Sequence, residues 1–143
     1  MGRIVVGVDG SPSSVRAFLW AVREAQRRGD VLVAVSTWDS AYPDMWLPSE
    51  PPGADHLAPF RHQLDRLVHD VVGTPPSVPV ETVVVDGPPA QALLAHAEGA
   101  DLLVVGNRGR GGFARALLGS VGRHCVAHAA CPVVVVRGMP EAA

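Results

Sequence analysis

The residues best placed to do chemistry lie between Val105 and Val121, which read Val-Gly-Asn-Arg-Gly-Arg-Gly-Gly-Phe-Ala-Arg-Ala-Leu-Leu-Gly-Ser-Val. An apolar run, Leu102-Leu103-Val104-Val105, stops at Gly106, and glycines recur at 109, 111, 112 and 119. Glycine lets backbone approach a ligand with no Cβ in the way. Ser120 stands where a helix N-cap is expected, with free main-chain N–H groups after it. Such a helix end attracts anions through its amides and its dipole. The local charge agrees, because Arg108, Arg110, Arg115 and Arg123 lie in or beside the stretch and no Asp or Glu occurs between Asp101 and Glu141. The chemistry implied is phosphate recognition. The competing reading is a plain strand-to-helix turn with surface arginines.

Other reactive residue types form no recognisable constellation. Gly109 to Ala114 fits G-x-G-x-x-A, but the dinucleotide fingerprint belongs in the first strand-to-helix turn, with an acid about 20 residues on. His128-Ala129-Ala130-Cys131 supplies none. All twelve basic residues are arginine, which removes the P-loop lysine and Schiff-base chemistry. A receiver-like reading has Asp86 at the end of a strand but lacks the lysine and an acidic pair after the first strand. His124 and His128 are spaced to share a helix face and could chelate, yet no third ligand is evident, so a solvated face is expected and no metal site is assigned. His56, His62 and His69 read as surface residues. Ser11 and Ser120 are better explained as caps than as nucleophiles, and no catalytic residue is assigned. Cys125 and Cys131, the only cysteines, read as buried reduced thiols.

The elements that must position the loop follow from periodicity. Arg3 to Asp9 reads as a buried strand ending in an acid. Ser11 caps a helix with Pro12 at its favoured first position, and Gly29 is its stop. Val31 to Trp38 is a second strand. Residues 39–55, with Pro43, Pro48, Pro51 and Pro52, form a long loop that is either a lid or a surface excursion. Leu57, Phe60, Leu64, Leu67, Val68 and Val71 mark a second helix. Val80 to Val85 is a third strand and Ala90 to Glu98 a third helix. Leu102 to Val105 is the fourth strand, followed by a short helical piece from Phe113 to Leu118. Ser120 to Ala129 is a fourth helix, and Pro132 to Arg137 a fifth strand. Alternating strands and helices with continuous apolar strands predict a doubly wound parallel α/β sheet with helices on both faces. Ligands of such sheets bind beyond the strand C-termini at the switch point. If the first and fourth strands are neighbours, Asp9 and the Gly-rich loop face one crevice.

Size and charge agree with this. The 143 residues suit one domain over 1–143. A net charge of −2 argues against nucleic acid or an anionic membrane as partner. No apolar run approaches the ~20 residues of a membrane span, and the N-terminus lacks a signal-peptide layout, so a cytoplasmic protein is expected.

Gly106, two residues, Gly109, nine residues, Gly119, Ser120 resembles the nucleotide-loop pattern of universal stress proteins. The chain is similar to that family elsewhere too: in Val6-Gly7-Val8-Asp9-Gly10-Ser11, in Trp20-Ala21, in Gly87-Pro88, and in Cys131-Pro132 followed by Val133 to Val136. The resemblance implies a five-stranded sheet in the order 3-2-1-4-5, a homodimer through Val133, Val134, Val135 and Val136, and ATP binding. It carries Asp9 over to the end of strand 1, and Thr37 to a main-chain contact with adenine. Val105, Gly106 and Gly109 map around ribose and phosphates, and Gly119, Ser120 and Val121 map to the phosphate end, while Arg108 joins the binding candidates by its charge within the loop. Asn107 stands where the family often has Ser. The expected function is an ATP-binding stress-response regulator or sensor. The alternative is a slow adenine-nucleotide hydrolase in which Asp9 holds Mg²⁺ on the phosphates.

Overall fold

The computed structural model describes residues 1–38, 55–108 and 118–138. It contains β1 (Arg3–Gly7), α1 (Pro12–Arg28), β2 (Val31–Trp38), α2 (Ala58–Val72), β3 (Val80–Asp86), α3 (Pro89–Ala97), β4 (Leu102–Gly106), α4 (Ser120–His128) and β5 (Val133–Val136). The five strands form one parallel sheet in the order β3-β2-β1-β4-β5. The 39–54 loop, Gly109 and residues 113–117 of the short helical piece lie outside the described residues.

Strand alternation sorts the apolar side chains into two layers. Ile4, Val6, Leu32, Ala34 and Val104 face α1 and α2, and are joined by Phe18, Ala21 and Leu64. Val5, Val33, Val35, Leu103 and Val105 face the other way, where Leu93, Ala97 and Cys125 of α3 and α4 cover them. Helices on both faces explain the unbroken apolar runs of β1, β2 and β4. The expectation of burial on both faces fails at the edges: β3 exposes Glu81, Thr82 and Asp86, and every residue of β5 is only half-buried. An edge strand has a neighbour on one side only, so its side chains are covered less completely.

Local chemistry sets the ends of α1. Ser11 adopts extended backbone (φ −68°, ψ 153°), its hydroxyl accepts the Ser14 amide at 3.4 Å, and Pro12 opens the helix. Gly29 closes it in the left-handed region at φ 72°, its amide bonded to the Ala25 carbonyl. Two boundaries differ from expectation. β1 ends at Gly7, so Asp9 sits two residues past the strand. The N-cap of α4 is Gly119, at φ −70° and ψ 171°, with no side-chain cap bond, and Ser120 is the first helical residue. Cys125 is buried and Cys131 half-buried, both as free thiols.

Candidate functional site

The strand order reverses between β1 and β4, the neighbours of opposite connectivity, so the crevice belongs above their C-terminal ends. Three pieces of chain meet there. Past β1, the Asp9 carboxylate accepts the Ser11 amide at 2.8 Å, and the Asp9 amide donates to Ser14 Oγ at 3.2 Å. Past β4, the main chain of Arg108 is held by the first turn of α1. Its amide donates to Ser13 Oγ at 3.2 Å, and its carbonyl accepts the hydroxyls of Ser11, at 3.2 Å, and of Ser13. The third piece is α4, whose cap Gly119 donates its amide to the Asn107 carbonyl at 2.7 Å.

Gly106 is a glycine for a packing reason. A Cβ there would lie 2.5 Å from Ser13 Oγ, 2.7 Å from the Ser13 carbonyl carbon and 2.8 Å from the Ser14 amide nitrogen. Two of those atoms are backbone and cannot step aside. The missing side chain is what lets the first turn of α1 rest on the end of β4. Ser11, Ser13 and Ser14, each under a tenth exposed, are polar residues in a buried place because they satisfy this junction. Sequence reasoning treated only Ser11 as structural. The signal available for the others was the Ser-x-Ser-Ser cluster beside an expected strand end.

The Asn107 side chain holds the residue that follows the exit of β5. Its Oδ1 accepts the Gly138 amide at 3.1 Å, while its own amide donates to the Val136 carbonyl at 2.9 Å. It is 6% exposed and ties β4 to the exit of β5. Val105 is also buried, and its side chain belongs to the α3–α4 layer, as does that of the half-buried Val121. These two positions can meet a ligand only through main chain. Around α4, the first intrahelical bond runs from the Arg123 amide to the Gly119 carbonyl at 3.0 Å. The amides of Ser120, Val121 and Gly122 therefore have no intrahelical partner, and the first turn contains no acid.

A cleft of about 170 Å³ opens beside Asp9. Asp9, Gly10, Ser36 and Thr37 form its strand side, Val8 and Val15 its base, and Phe60, Gln63, Leu64 and Leu67 of α2 its far wall. Sequence reasoning found Asp9 and Thr37 but not the α2 wall, because Phe60, Leu64 and Leu67 match an ordinary core stripe. Phe60 stacks on Trp38 at 6.3 Å between ring centroids, and His56 meets Trp38 edge-on at 5.2 Å.

The main chain of Thr37 has a special position. The β1–β2 ladder ends with the Val8 amide bonded to the Val35 carbonyl at 2.8 Å, whereas the Trp38 carbonyl faces β3 and takes the Gly87 amide at 2.9 Å. Successive strand residues present their N–H and C=O to opposite sides. The pair on Thr37 therefore points to the β1 side, past the point where β1 has ended and into the cleft.

Neither cysteine is an activated nucleophile: burial pushes the Cys125 thiol up to about 11, and burial together with the Asp101 charge raises that of Cys131. His124 and His128 are exposed on α4 with ring centroids 4.8 Å apart. Among the described residues no group of three or more His, Cys, Asp or Glu could hold a metal ion.

The comparisons with known proteins agree with this arrangement. The sequence profile of the universal stress protein family matches residues 1–137. Universal stress protein Rv2623 of Mycobacterium tuberculosis is 39% identical over 137 residues, which cover 94% of this chain and 44% of that one. The chain thus spans less than half the length of the curated relatives it matches. Among solved structures, universal stress protein UspA from Lactobacillus plantarum superposes with a TM-score of 0.78 at 26% identity, covering 95% of this chain and 97% of that one. A universal stress protein in complex with cAMP gives 0.71 at 30% identity, covering 95% and 96%. With a family profile matched along nearly the whole chain and the 3-2-1-4-5 sheet in place, this chain belongs to the universal stress protein family.

Proposed function

We propose that this chain binds an adenine nucleotide, ATP, across the β1–β4 switch point and acts as a stress-response regulator or sensor. The observation that carries the reading is the main-chain N–H and C=O of Thr37, which have no hydrogen bond among the described residues, beside a cleft that Thr37 and Asp9 both line. A planar base edge with one acceptor and one donor side by side fits that pair, and the apolar α2 wall suits its face. The phosphates then run toward Gly119, Ser120 and Val121, whose helix-end amides favour an anion, with Arg108 beside them; Gly109 remains a candidate contact on the sequence motif alone. The 30%-identical relative solved with cAMP supports an adenine nucleotide as the ligand class. Asp9 is the residue that would hold Mg²⁺ on the phosphates in the slow-hydrolase alternative, but its Oδ1 already accepts the Ser11 amide, which favours a role in shaping the loop.

The half-buried β5 edge supports a homodimer through Val133 to Val136, since an apolar edge strand invites pairing. Among the described residues no helix is long and apolar enough to cross a membrane, which fits the reading of a cytoplasmic protein. Mass spectrometry of ligand released from the purified protein, followed by calorimetry with Mg-ATP, tests the proposal. An adenine nucleotide in the first and saturable heat in the second are expected. Protein that carries no nucleotide and gives no heat with millimolar Mg-ATP refutes it.

A further inference from the structure

Among the described residues that line the cleft, Gln63 carries the longest polar side chain with no hydrogen bond. Phe60, Gln63, Leu64 and Leu67 occupy one face of α2, at i, i+3, i+4 and i+7, and line the cleft together. Three are apolar, as a core-facing stripe requires. Gln63 is the exception, exposed at the cleft mouth, and no hydrogen bond engages its carboxamide among the described residues. Thr37, whose main-chain N–H and C=O have no hydrogen bond among the described residues, lines the same cleft. A long, unengaged amide on α2 and the main chain of Thr37 on β2 thus line one cleft together with apolar side chains.

We propose that Gln63 is the specificity-determining residue for the base, pairing two-fold with the N6–H and N7 edge of adenine while Thr37 takes the N1 and N6 side. This rests on the nucleotide-binding reading above. The chemistry is selective. A carboxamide offers one acceptor and one donor, which matches the N6 donor and N7 acceptor of adenine. Guanine presents two acceptors there, O6 and N7, and leaves the carboxamide oxygen facing a lone pair. The O6/N7 edge is instead matched by the two parallel donors of an arginine. A bidentate contact of this type is worth roughly ten- to a hundredfold in base discrimination.

ATP and GTP titrated separately by calorimetry into wild type, Gln63→Leu and Gln63→Arg test this. Wild type should prefer ATP by at least tenfold. Gln63→Leu should weaken ATP by roughly ten- to a hundredfold and bring the ATP/GTP ratio toward one, whereas Gln63→Arg should move the ratio toward GTP. Circular dichroism checks the fold, and Gln63→Glu, which keeps the shape but loses the donor to N7, replaces the leucine variant if that one fails to fold. Wild type that binds ATP, with a ratio unchanged by these substitutions, overturns the inference and leaves the binding reading standing. Wild type that binds neither nucleotide overturns both.

Discussion

Gly119→Asp separates the chemistry of the α4 N-terminus from its stability. Gly119 is the cap residue and sits at φ −70° and ψ 171°, extended backbone open to any L-residue. Its amide bond to the Asn107 carbonyl does not depend on the side chain. Aspartate is among the favoured N-caps and stabilises a helix by a few tenths of a kcal/mol relative to glycine. The folded state should therefore be unharmed or slightly stabilised, with the melting temperature level or up by a degree or two. Binding should respond in the opposite direction. A carboxylate about 5 Å from a phosphate charge, at an effective dielectric constant of about 20, costs about 3 kcal/mol. At ~1.4 kcal/mol per tenfold, ATP affinity should fall at least a hundredfold.

Gly119→Asn is the control. It has nearly the same shape and capping ability without the charge, so its ATP affinity should stay within about tenfold of wild type. Calorimetry with Mg-ATP on both variants, at low and high salt, isolates the Coulombic part, and the aspartate penalty should shrink as salt rises. Equal ATP affinity in the Asp and Asn variants would refute the phosphate assignment of this helix end.

Other expectations follow from the same geometry. Gly106→Ala should destabilise the fold by roughly 2 kcal/mol or more, because the added Cβ meets backbone atoms of Ser13 and Ser14; urea unfolding measures it. Ser120→Ala should leave stability nearly unchanged, since Ser120 makes no cap bond, and should weaken ATP by less than about tenfold in calorimetry. Cys125 has a folded-state value raised to about 11, so its contribution is intact below pH 9 and is lost between about pH 9 and 11, where the thiol of the unfolded chain ionises first. Urea midpoints should fall by the equivalent of at most about 2 kcal/mol over that window in wild type, and by less in Cys125→Ala. Light scattering at micromolar concentration should report a dimer, and a monomer would remove β5 as a pairing edge. ATP turnover should stay below roughly one per second in a phosphate-release assay; faster sustained release would favour the hydrolase.

What the sequence discloses here is mostly what a short window can encode. Ser11-Pro12 and Gly29 bound α1 through chemistry complete within a few residues, and the apolar runs of β1, β2 and β4 declare strands covered on both faces. What stays hidden depends on residues distant in the chain. Gly106 reads as a ligand glycine until Ser13, more than ninety positions earlier, is found against it. The α2 wall of the cleft is hidden because a helix stripe facing a core and one facing a base have the same period. The partial exposure of β3 and β5 follows from sheet order, which periodicity does not report.

The junction at residues 106–108 also constrains how binding can work. Gly106 is filled by α1, Asn107 is bonded to β5, Gly138 and Gly119, and the Arg108 main chain is held by Ser13. Their main chain acts as a frame, and ligand contact falls to the groups the frame presents: Asp9 and Thr37 on one side, and the α4 amides on the other. A frame already bonded in place loses little entropy when a ligand arrives, which favours affinity. It also divides substitutions into two kinds. Damage to the frame, as in Ser13→Ala or Asn107→Ala, removes bonds worth about 1 kcal/mol each, so it should lower thermal stability and ATP affinity together. Changes at Gly119 or Gln63 should lower or redirect affinity without lowering the melting temperature. If the frame variants lost affinity at full stability, the junction residues would be contacting the ligand directly, and the division drawn here between frame and contact would be wrong.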